Sequence, residues 1–308
     1  MNKTRAFALI AASIILSPVP ASAFSETSEV SISTGKRVDN LDWNIAGPTS
    51  GQFVNVRSEL TWSDIESHEV RIGARIFLNR YFLKGEAGYG FITDGQNQDS
   101  DFMGNDRTDE FSRSNNSADD GSVWDLSGGL GYLYQFPALG GKFDLIPMAG
   151  LSYHKQNLTI TEGVQTIDTV SEQLGPFSGL NSTYEAGWGG PWAGVDLAYQ
   201  RGNLKLFGGF DFHVVYYRAE ANWNLRTDFA HPVSFEHWAT GTGIVFSAGG
   251  EYNLSQRWSL TASFKASDFR ASDGTDRTYF SDGTAGDTPL NEVNWDSRSA
   301  FFGLNYRF

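Results

Sequence analysis

The chain has 308 residues, of which 36 are acidic and 23 basic, and it contains no cysteine. The lack of cysteine excludes disulfides and thiol chemistry. The formal net charge of −13 argues against nucleic acid as a partner and favours cationic partners. The negative mean hydropathy does not exclude a membrane location, because half of each strand in a transmembrane barrel faces a polar lumen.

The amino terminus has the three parts of a secretory signal peptide. Lys3 and Arg5 are followed by the largely apolar residues 6–16, and Ala21-Ser22-Ala23 offers a small-residue cleavage site. The apolar run is shorter than the roughly 18 residues that a transmembrane helix needs. We therefore expect residues 1–23 to be removed. The basic count then falls from 23 to 21 against 36 acids, which gives the mature chain a charge of −15.

After the signal, apolar and polar residues alternate along extended segments. Val70, Ile72 and Ala74 fall on one face of a strand, whereas Arg71 and Arg75 fall on the other. This pattern fits a soluble sandwich as well as a barrel with lipid outside and an ionic lumen inside.

Ten strands are predicted, at residues 28–45, 53–78, 81–95, 122–136, 142–161, 188–200, 204–224, 238–254, 258–272 and 295–308.

The connections between these strands favour the barrel. Short turns are predicted at 79–80, 137–141, 201–203 and 255–257, and long polar loops at 95–121, 162–187, 225–237 and 273–294. Strict alternation of short and long connections is typical of the periplasmic turns and extracellular loops of outer-membrane barrels. We therefore predict that residues 24–308 form one all-β domain, a ten-stranded antiparallel transmembrane β-barrel with long extracellular loops.

The final strand supports an outer-membrane location. From Ala300 to Phe308 every second residue is apolar, and the chain ends on an aromatic residue. Outer-membrane barrels resemble one another in closing on such a strand. We therefore expect the protein in the outer membrane of a Gram-negative bacterium.

Charged residues fall on the inward positions of the predicted strands. They include Asp125, Asp144, Asp196, Lys205, Asp211, His213, Glu251, Lys265 and Arg307. The lumen of a ten-stranded barrel is narrow, so these charges are expected to pair with one another. This expectation disfavours a diffusion porin.

The long loop predicted at 95–121 is the most acidic stretch of the chain. Within it, Asp99 and Asp101 are two residues apart. Two carboxylates held close together cannot easily both ionise, so they can share a proton and activate a water molecule. The alternative is a solvated loop that binds calcium loosely, although the EF-hand spacing is not met.

Several short motifs resemble those of the omptins, outer-membrane endopeptidases of Gram-negative bacteria. They are Asp99-Ser-Asp101-Phe102, Thr108-Asp109-Glu110-Phe-Ser-Arg113, Trp124-Asp125-Leu126, Leu60-Thr-Trp62, Ile72-Gly73-Ala74 and Gly208-Gly209. The likeness is distributed over nearly all of the mature chain. It implies an omptin-like barrel with its site at the extracellular mouth.

The resemblance implies roles for particular residues. Asp99 and Asp101 would hold the attacking water, with Asp109 and Glu110 lining the substrate groove. An Asp-x-His dyad, whose histidine acts as general base, would fall near residues 221–225. That segment contains neither Asp nor His.

Other histidines are therefore considered for the missing dyad. Asp228 and His231 are the first candidates. Glu236-His237 is a second local pair. Asp211-Phe-His213 is interpreted as a hydrogen-bonded pair in the lumen.

Lys155 and Tyr153 are the candidate lipopolysaccharide contacts. The resemblance implies basic and aromatic residues on the outer face, and a cation there would meet a lipid A phosphate. No metal or cofactor site is predicted.

Two functions stay open. The first is an omptin-like surface endopeptidase that cleaves cationic polypeptides with an Asp-activated water. The alternative is a non-proteolytic barrel of omptin fold that acts as an adhesin or structural surface protein. A lipid A hydrolase would need a Ser-His or calcium constellation, and no such pair stands out in the sequence.

Overall fold

The computed structural model describes residues 27–49 and 51–308, so the predicted signal peptide lies outside the described residues. The described residues form twelve β-strands and one turn of 3-10 helix, Asn105–Arg107, and contain no helix long and apolar enough to cross a membrane. The strands are β1 (Glu29–Thr49), β2 (Gln52–Leu78), β3 (Tyr81–Phe102), β4 (Glu110–Tyr132), β5 (Tyr134–Ala138), β6 (Gly141–Asp168), β7 (Gly175–Pro176), β8 (Ser182–Arg201), β9 (Leu204–Asn222), β10 (Phe235–Asn253), β11 (Trp258–Tyr279) and β12 (Ala285–Arg307).

The strands pair antiparallel and close into a ring. Their order is β4-β3-β2-β1-β12-β11-β10-β9-β8-β6-β5, and β4 also pairs with β6. β4 and β5 continue each other across Leu133, and β7 is a two-residue segment paired with β6. The ring therefore contains the ten predicted long strands, and the predicted all-β antiparallel barrel is confirmed.

The connections divide the barrel into two ends. The end with the short connections β2–β3, β5–β6, β8–β9 and β10–β11 is called the turn end. The opposite end, with the connections β1–β2, β3–β4, β6–β8, β9–β10 and β11–β12, is called the loop end. Glu29 near the start of β1 lies opposite Arg307 of β12, so both described termini lie at the turn end.

The strands extend further towards the loop end than the sequence pattern predicts. The prediction of a loop over 95–121 is wrong for most of its length, because β3 continues to Phe102 and β4 begins at Glu110. The predicted loops 162–187 and 273–294 are likewise mostly strand. Backbone pairing persists in these extensions, for example between Asn97 and Asn116. Their outer faces are polar, however, and hydropathy alone therefore indicates a loop.

The outer face near the turn end is an exposed apolar belt. It includes Val30, Ile32, Val70, Ile72, Tyr89, Phe91, Phe210, Phe246, Phe302 and Leu304. Because these side chains alternate with inward charged ones, the belt has the arrangement expected of a lipid-facing surface.

The interior behind this belt is charged. A cavity of about 430 Å³ lies among Lys84, Glu86, Asp196, Glu251 and Lys265, with other charged side chains around them. Lys84 pairs with Asp196 at 2.8 Å, and Lys265 pairs with Glu86 at 3.4 Å. The predicted pairing of lumenal charges is confirmed for these residues.

Two packed layers separate this cavity from the loop end. In the first, the buried guanidinium of Arg37 pairs with Asp39 at 2.7 Å and with Asp125 at 3.1 Å. In the second, the buried rings of Phe269 and Trp295 lie 4.8 Å apart between their centroids. The layers obstruct the lumen, which agrees with the expectation that the protein is not a diffusion porin.

Candidate functional site at the loop end

Asp99 and Asp101 lie on the same face of β3, as their two-residue spacing predicts. The cross-strand neighbours on β2 are Leu60 for Asp99 and Ser58 for Asp101. Leu60 belongs to the buried core, and side chains opposite each other in a sheet share a face. Both carboxylates therefore point into the loop end of the barrel rather than outwards.

Asp99 and Asp101 are half-buried, and their carboxyl groups differ from ordinary exposed acids. Burial, together with the nearby charge of Asp101, raises the pKa of Asp99 to about 8, although an indole hydrogen bond from Trp223 and the charge of Arg226 oppose the rise. Burial also raises the pKa of Asp101, against a hydrogen bond from Ser58. At neutral pH the pair therefore retains a proton.

The side chains opposite the pair come from the β9–β10 loop, residues 223–234. Trp223 donates to Asp99, and its ring packs on Phe235 with centroids 4.8 Å apart. The positive charge of Arg226 lowers the pKa of both aspartates. The segment in which the resemblance expects an Asp-x-His dyad therefore presents an indole N–H and, just beyond it, a guanidinium.

The predicted pair Asp228 and His231 does not complete the site. His231 is bonded within its own loop, through Nδ1 to Asn222 at 2.7 Å and through Nε2 to the carbonyl of Arg226 at 3.2 Å. Asp228 accepts two hydrogen bonds from Arg226, at 2.9 and 2.8 Å, and these lower its pKa. Because Asp228 and His231 are each hydrogen-bonded to other residues of this loop or its edge, the structure does not bring the two together as a dyad.

The second local pair, Glu236 and His237, also separates. Neighbouring residues of a strand point to opposite faces. Glu236 accordingly lies on the outer face, where Arg218 donates to it at 2.6 Å. The structure therefore does not bring these two side chains together.

His237 instead lies in a buried polar network on the inner face. Its Nδ1 is hydrogen-bonded to the hydroxyl of Tyr184 at 2.9 Å, and its Nε2 lies 3.2 Å from a carboxylate oxygen of Asp276. The hydroxyl of Tyr184 also meets that of Tyr217 at 2.5 Å. All four residues are at most 3 % exposed, so this Asp–His–Tyr arrangement lies beneath the mouth, out of reach of a substrate.

The lumen holds a Ser-His pair that the sequence pattern did not reveal. Ser152 and Nδ1 of His213 are 3.1 Å apart, and both residues are buried. Asp211, two residues before His213 and expected to bond it, packs against the backbone at Gly194 instead. The cross-strand register of β6, β8 and β9 brings Ser152 to His213, which no local spacing indicates.

The two predicted groove acids have different surroundings. Glu110 is bonded to Arg113 at 2.6 and 2.7 Å and contributes to the raised pKa of Asp101, so it lies near the pair. Asp109 is exposed at the end of the β3–β4 connection. Within residues 27–49 and 51–308, no group of three or more His, Asp or Glu side chains is arranged to hold a metal ion.

Lys155 and Tyr153 lie on the outer face of β6, as predicted. The ring of Tyr153 packs on Trp124 with centroids 5.1 Å apart. The ammonium group of Lys155, however, lies 2.6 Å from Glu185. A lipid phosphate would therefore compete with this carboxylate for the cation.

Taken together, the closed antiparallel ring, the apolar outer belt and the charged interior define an outer-membrane β-barrel. Over residues 31–308 the sequence matches the family described as "Pom: Protochlamydia outer membrane protein", and the chain belongs to that family. No curated protein matches the sequence.

The barrel is similar in fold to a solved structure, the outer membrane protease OmpT from Escherichia coli. Their TM-score is 0.72 at 13 % identity, over 94 % of this chain and 99 % of OmpT. The attachment invasion locus protein Ail of Yersinia pestis also matches, at 9 % identity over 92 % of this chain and all of Ail, but its TM-score of 0.31 is too low to indicate a common architecture. At such identities the likeness to OmpT shows the fold alone.

Proposed function

We propose that the protein is a non-proteolytic surface barrel of adhesin type, whose loop end is extracellular and binds basic segments of a partner protein. The observation that carries this proposal is the pairing of Asp99 with the indole N–H of Trp223. Water attack on a peptide needs a proton acceptor within hydrogen-bond reach of the water. An indole nitrogen donates only, and a guanidinium stays protonated at neutral pH.

Two further features support binding rather than transport or cleavage. The packed layer around Phe269 and Trp295 obstructs the lumen, so the loop end is a surface and not the entrance of a wide channel. The chain carries 36 acids against 23 bases, which attracts basic partners over long distances and speeds their encounter.

A second candidate function rests on a different observation. Asp99 and Asp101 lie on one face of β3, and burial raises the pKa of both carboxyl groups, that of Asp99 to about 8. Two carboxyl groups that share a proton can divide the roles of acid and base between them. A peptidase that uses only this pair, on an OmpT-like fold, is therefore the alternative.

One experiment separates the two functions. Refolded protein, with lipopolysaccharide present, is given a fluorogenic dibasic peptide, and cleavage and fluorescence anisotropy are followed in the wild type and in Asp99→Ala/Asp101→Ala. Binding without cleavage supports the adhesin-type surface. Cleavage that the double substitution abolishes supports the peptidase and overturns the first proposal. If the wild type shows no binding and no cleavage, both proposed functions are contradicted.

A further inference from the structure

A groove of about 480 Å³ lies on the wall of the barrel where β2, β3 and β4 run side by side. Of the described residues, seven line it, and every one of them is Asn, Gln, Ser or Thr. Since 19 % of the residues of the chain are charged, this polar groove differs from both the charged cavity at the turn end and the acidic mouth.

The polar groove opens on the outer face, because the inner face of the same wall is closed by packing. Trp62 is fully buried, and its cross-strand neighbour Asn97 is 2 % exposed. The side chain of Asn97 donates to the carbonyl of Thr61 at 3.3 Å and accepts from the amide of Asn116 at 2.8 Å. These buried bonds hold the three strands together, and the alternate residues of each strand point outwards.

The outward side chains form two short rows across the strands. In one row Thr61 is paired with Gln98, and Gln98 with Asn115; in the other, Ser63 is paired with Gln96. Neighbouring strands lie about 4.8 Å apart, and residues two positions apart on one strand lie about 6.6 Å apart. The rows therefore offer several hydrogen-bonding groups within the area of a short stretch of sugar chain.

A bulge beside the rows makes this part of the wall concave. The register of β2 and β3 shifts between Ser63 and Glu66, where Asp64 adopts the left-handed region with a φ of 53°. An extra residue of this kind bends its strand and increases the local twist, and such bulges often lie next to functional sites. The bend explains how a groove forms on the outer wall of a barrel, which is otherwise convex.

The hydrogen-bonding groups of the groove are available to a ligand. Within residues 27–49 and 51–308, the side-chain amides of Gln96 and Asn115 have no hydrogen-bond partner. Gln98 uses one N–H on the hydroxyl of Ser100, at 3.3 Å, which leaves its carbonyl oxygen free. Each amide thus offers both donors and an acceptor.

This set of groups matches a ligand that is rich in hydroxyls and carries no charge. Each hydroxyl of a sugar ring donates one hydrogen bond and accepts others, as the amide and hydroxyl side chains of the groove do. Phosphates, basic peptides and metal ions are instead held by groups of opposite charge. Among the residues that the structure describes, the lining of the polar groove offers no such charge.

The position of the groove along the strands places it outside the lipid. Gln96 lies five residues beyond Phe91 of the apolar belt, which corresponds to about 16 Å along β3. Gln98 lies four residues before Phe102, where β3 ends at the loop end. The groove is therefore close to the rim of the barrel, where a molecule that approaches the loop end can reach it.

We propose that the polar groove is a binding site for neutral carbohydrate, and that its occupant is an uncharged segment of a glycan on the surface to which the barrel attaches. This inference rests on the proposed extracellular position of the loop end. It does not depend on the binding of basic segments, because Gln98 and its neighbour Asp99 point to opposite faces of β3.

The test measures binding of free oligosaccharides to the refolded protein by saturation-transfer NMR, in micelles of a detergent without a sugar head group. The neutral probes are maltotetraose, cellotetraose, mannotetraose and N-acetylchitotetraose, and the acidic probe is a heparin tetrasaccharide. We expect a neutral probe to bind, and the acidic probe to bind at least about tenfold more weakly, because the groove has no cation to pair with its sulfates.

Two matched variants locate the binding. Gln96→Ala/Asn115→Ala removes two exposed amides from the groove and should weaken binding of the neutral probe by about tenfold or more. Gln173→Ala/Asn203→Ala makes the same two changes at exposed positions of the β6–β8 and β8–β9 connections. This control should stay within about twofold of the wild type. Circular dichroism checks that all the barrels are folded.

Three outcomes would overturn the inference. They are a folded wild type that binds none of the four neutral probes, equal binding by the groove variant and the control, and an acidic probe that binds as tightly as the neutral ones. Binding to lipopolysaccharide alone, without any free oligosaccharide, would fall under the first. Failure of the dibasic peptide to bind, while neutral sugar still binds, would contradict the proposed function and leave the carbohydrate site standing.

Discussion

The raised pKa of Asp99 makes the stability of the barrel depend on pH in a way that a single substitution removes. In the unfolded chain Asp99 loses its proton near its ordinary value of 3.8, whereas in the barrel it retains the proton up to about 8. Between these values the folded state binds more protons than the unfolded state. The free energy of unfolding therefore falls as the pH rises through this window.

The size of the effect follows from the same two values. They differ by about four pH units, and each unit corresponds to about 1.4 kcal/mol. Ionisation of Asp99 therefore lowers the free energy of unfolding by at most about 6 kcal/mol once the pH exceeds its folded pKa. In Asp99→Asn the side chain stays neutral throughout and keeps a similar shape. We expect this variant to match the wild type at about pH 3, below both values, and to exceed its stability by about 3 to 6 kcal/mol at about pH 9.

The assay is urea unfolding in detergent micelles, followed by tryptophan fluorescence at both pH values. The comparison of variant with wild type at each pH cancels the titration of groups that do not interact with Asp99, and Asp101, which does interact, titrates with it as one pair. Asp109→Asn is the control, because Asp109 is an exposed carboxylate in the neighbouring connection and should leave the pH dependence of the wild type unchanged. A stability difference between Asp99→Asn and wild type that is the same at both pH values would refute the reasoning.

Two substitutions test the buried networks by the same unfolding measurement. Arg37→Met leaves buried carboxylates without their cation and should lower the free energy of unfolding by about 3 to 5 kcal/mol, whereas Lys36→Met, on the outer face with a side chain 66 % exposed, should change it by about 1 kcal/mol or less. Equal effects of the two would contradict a structural role for the ion layer. His237→Phe deprives the buried Asp276 of its imidazole neighbour and should cost about 2 to 4 kcal/mol. The exposed loop residue His231, changed to Phe, should cost about 1 kcal/mol or less, and a reversal of this order would contradict the assigned network.

The sequence predicts the barrel well where its strands face lipid. Along β3, Tyr81, Leu83, Tyr89 and Phe91 alternate with charged or small residues, and the predicted strand is present. Past Gly95 the outer residues become polar, and the period-two signal in hydropathy disappears while backbone pairing continues. Strand ends beyond the apolar belt therefore could not be located from hydropathy, since pairing there depends on the neighbouring strand.

The candidate site was predictable only in its local part. Two residues apart on one strand, Asp99 and Asp101 must share a face, and the structure agrees. The groups opposite them belong to the β9–β10 loop, whose path is fixed by bonds such as that between His231 and Asn222. In the same way Asp276, from β11, becomes the neighbour of His237 only through strand register. Sequence spacing carries no signal for such contacts.

The packing that obstructs the lumen also determines the chemistry of the mouth. Trp62 lies two residues from Leu60 on the inner face of β2, is fully buried, and stacks on Tyr184 with centroids 4.9 Å apart. These packed aromatic rings leave little room for water on the lumen side of Asp99. Desolvation of the Asp99 carboxyl group is the largest cause of its raised pKa. A barrel with an open, hydrated lumen would solvate the pair and return both carboxyl groups to ordinary acidity. The closed interior is therefore the reason that the aspartate pair at the loop end retains a proton.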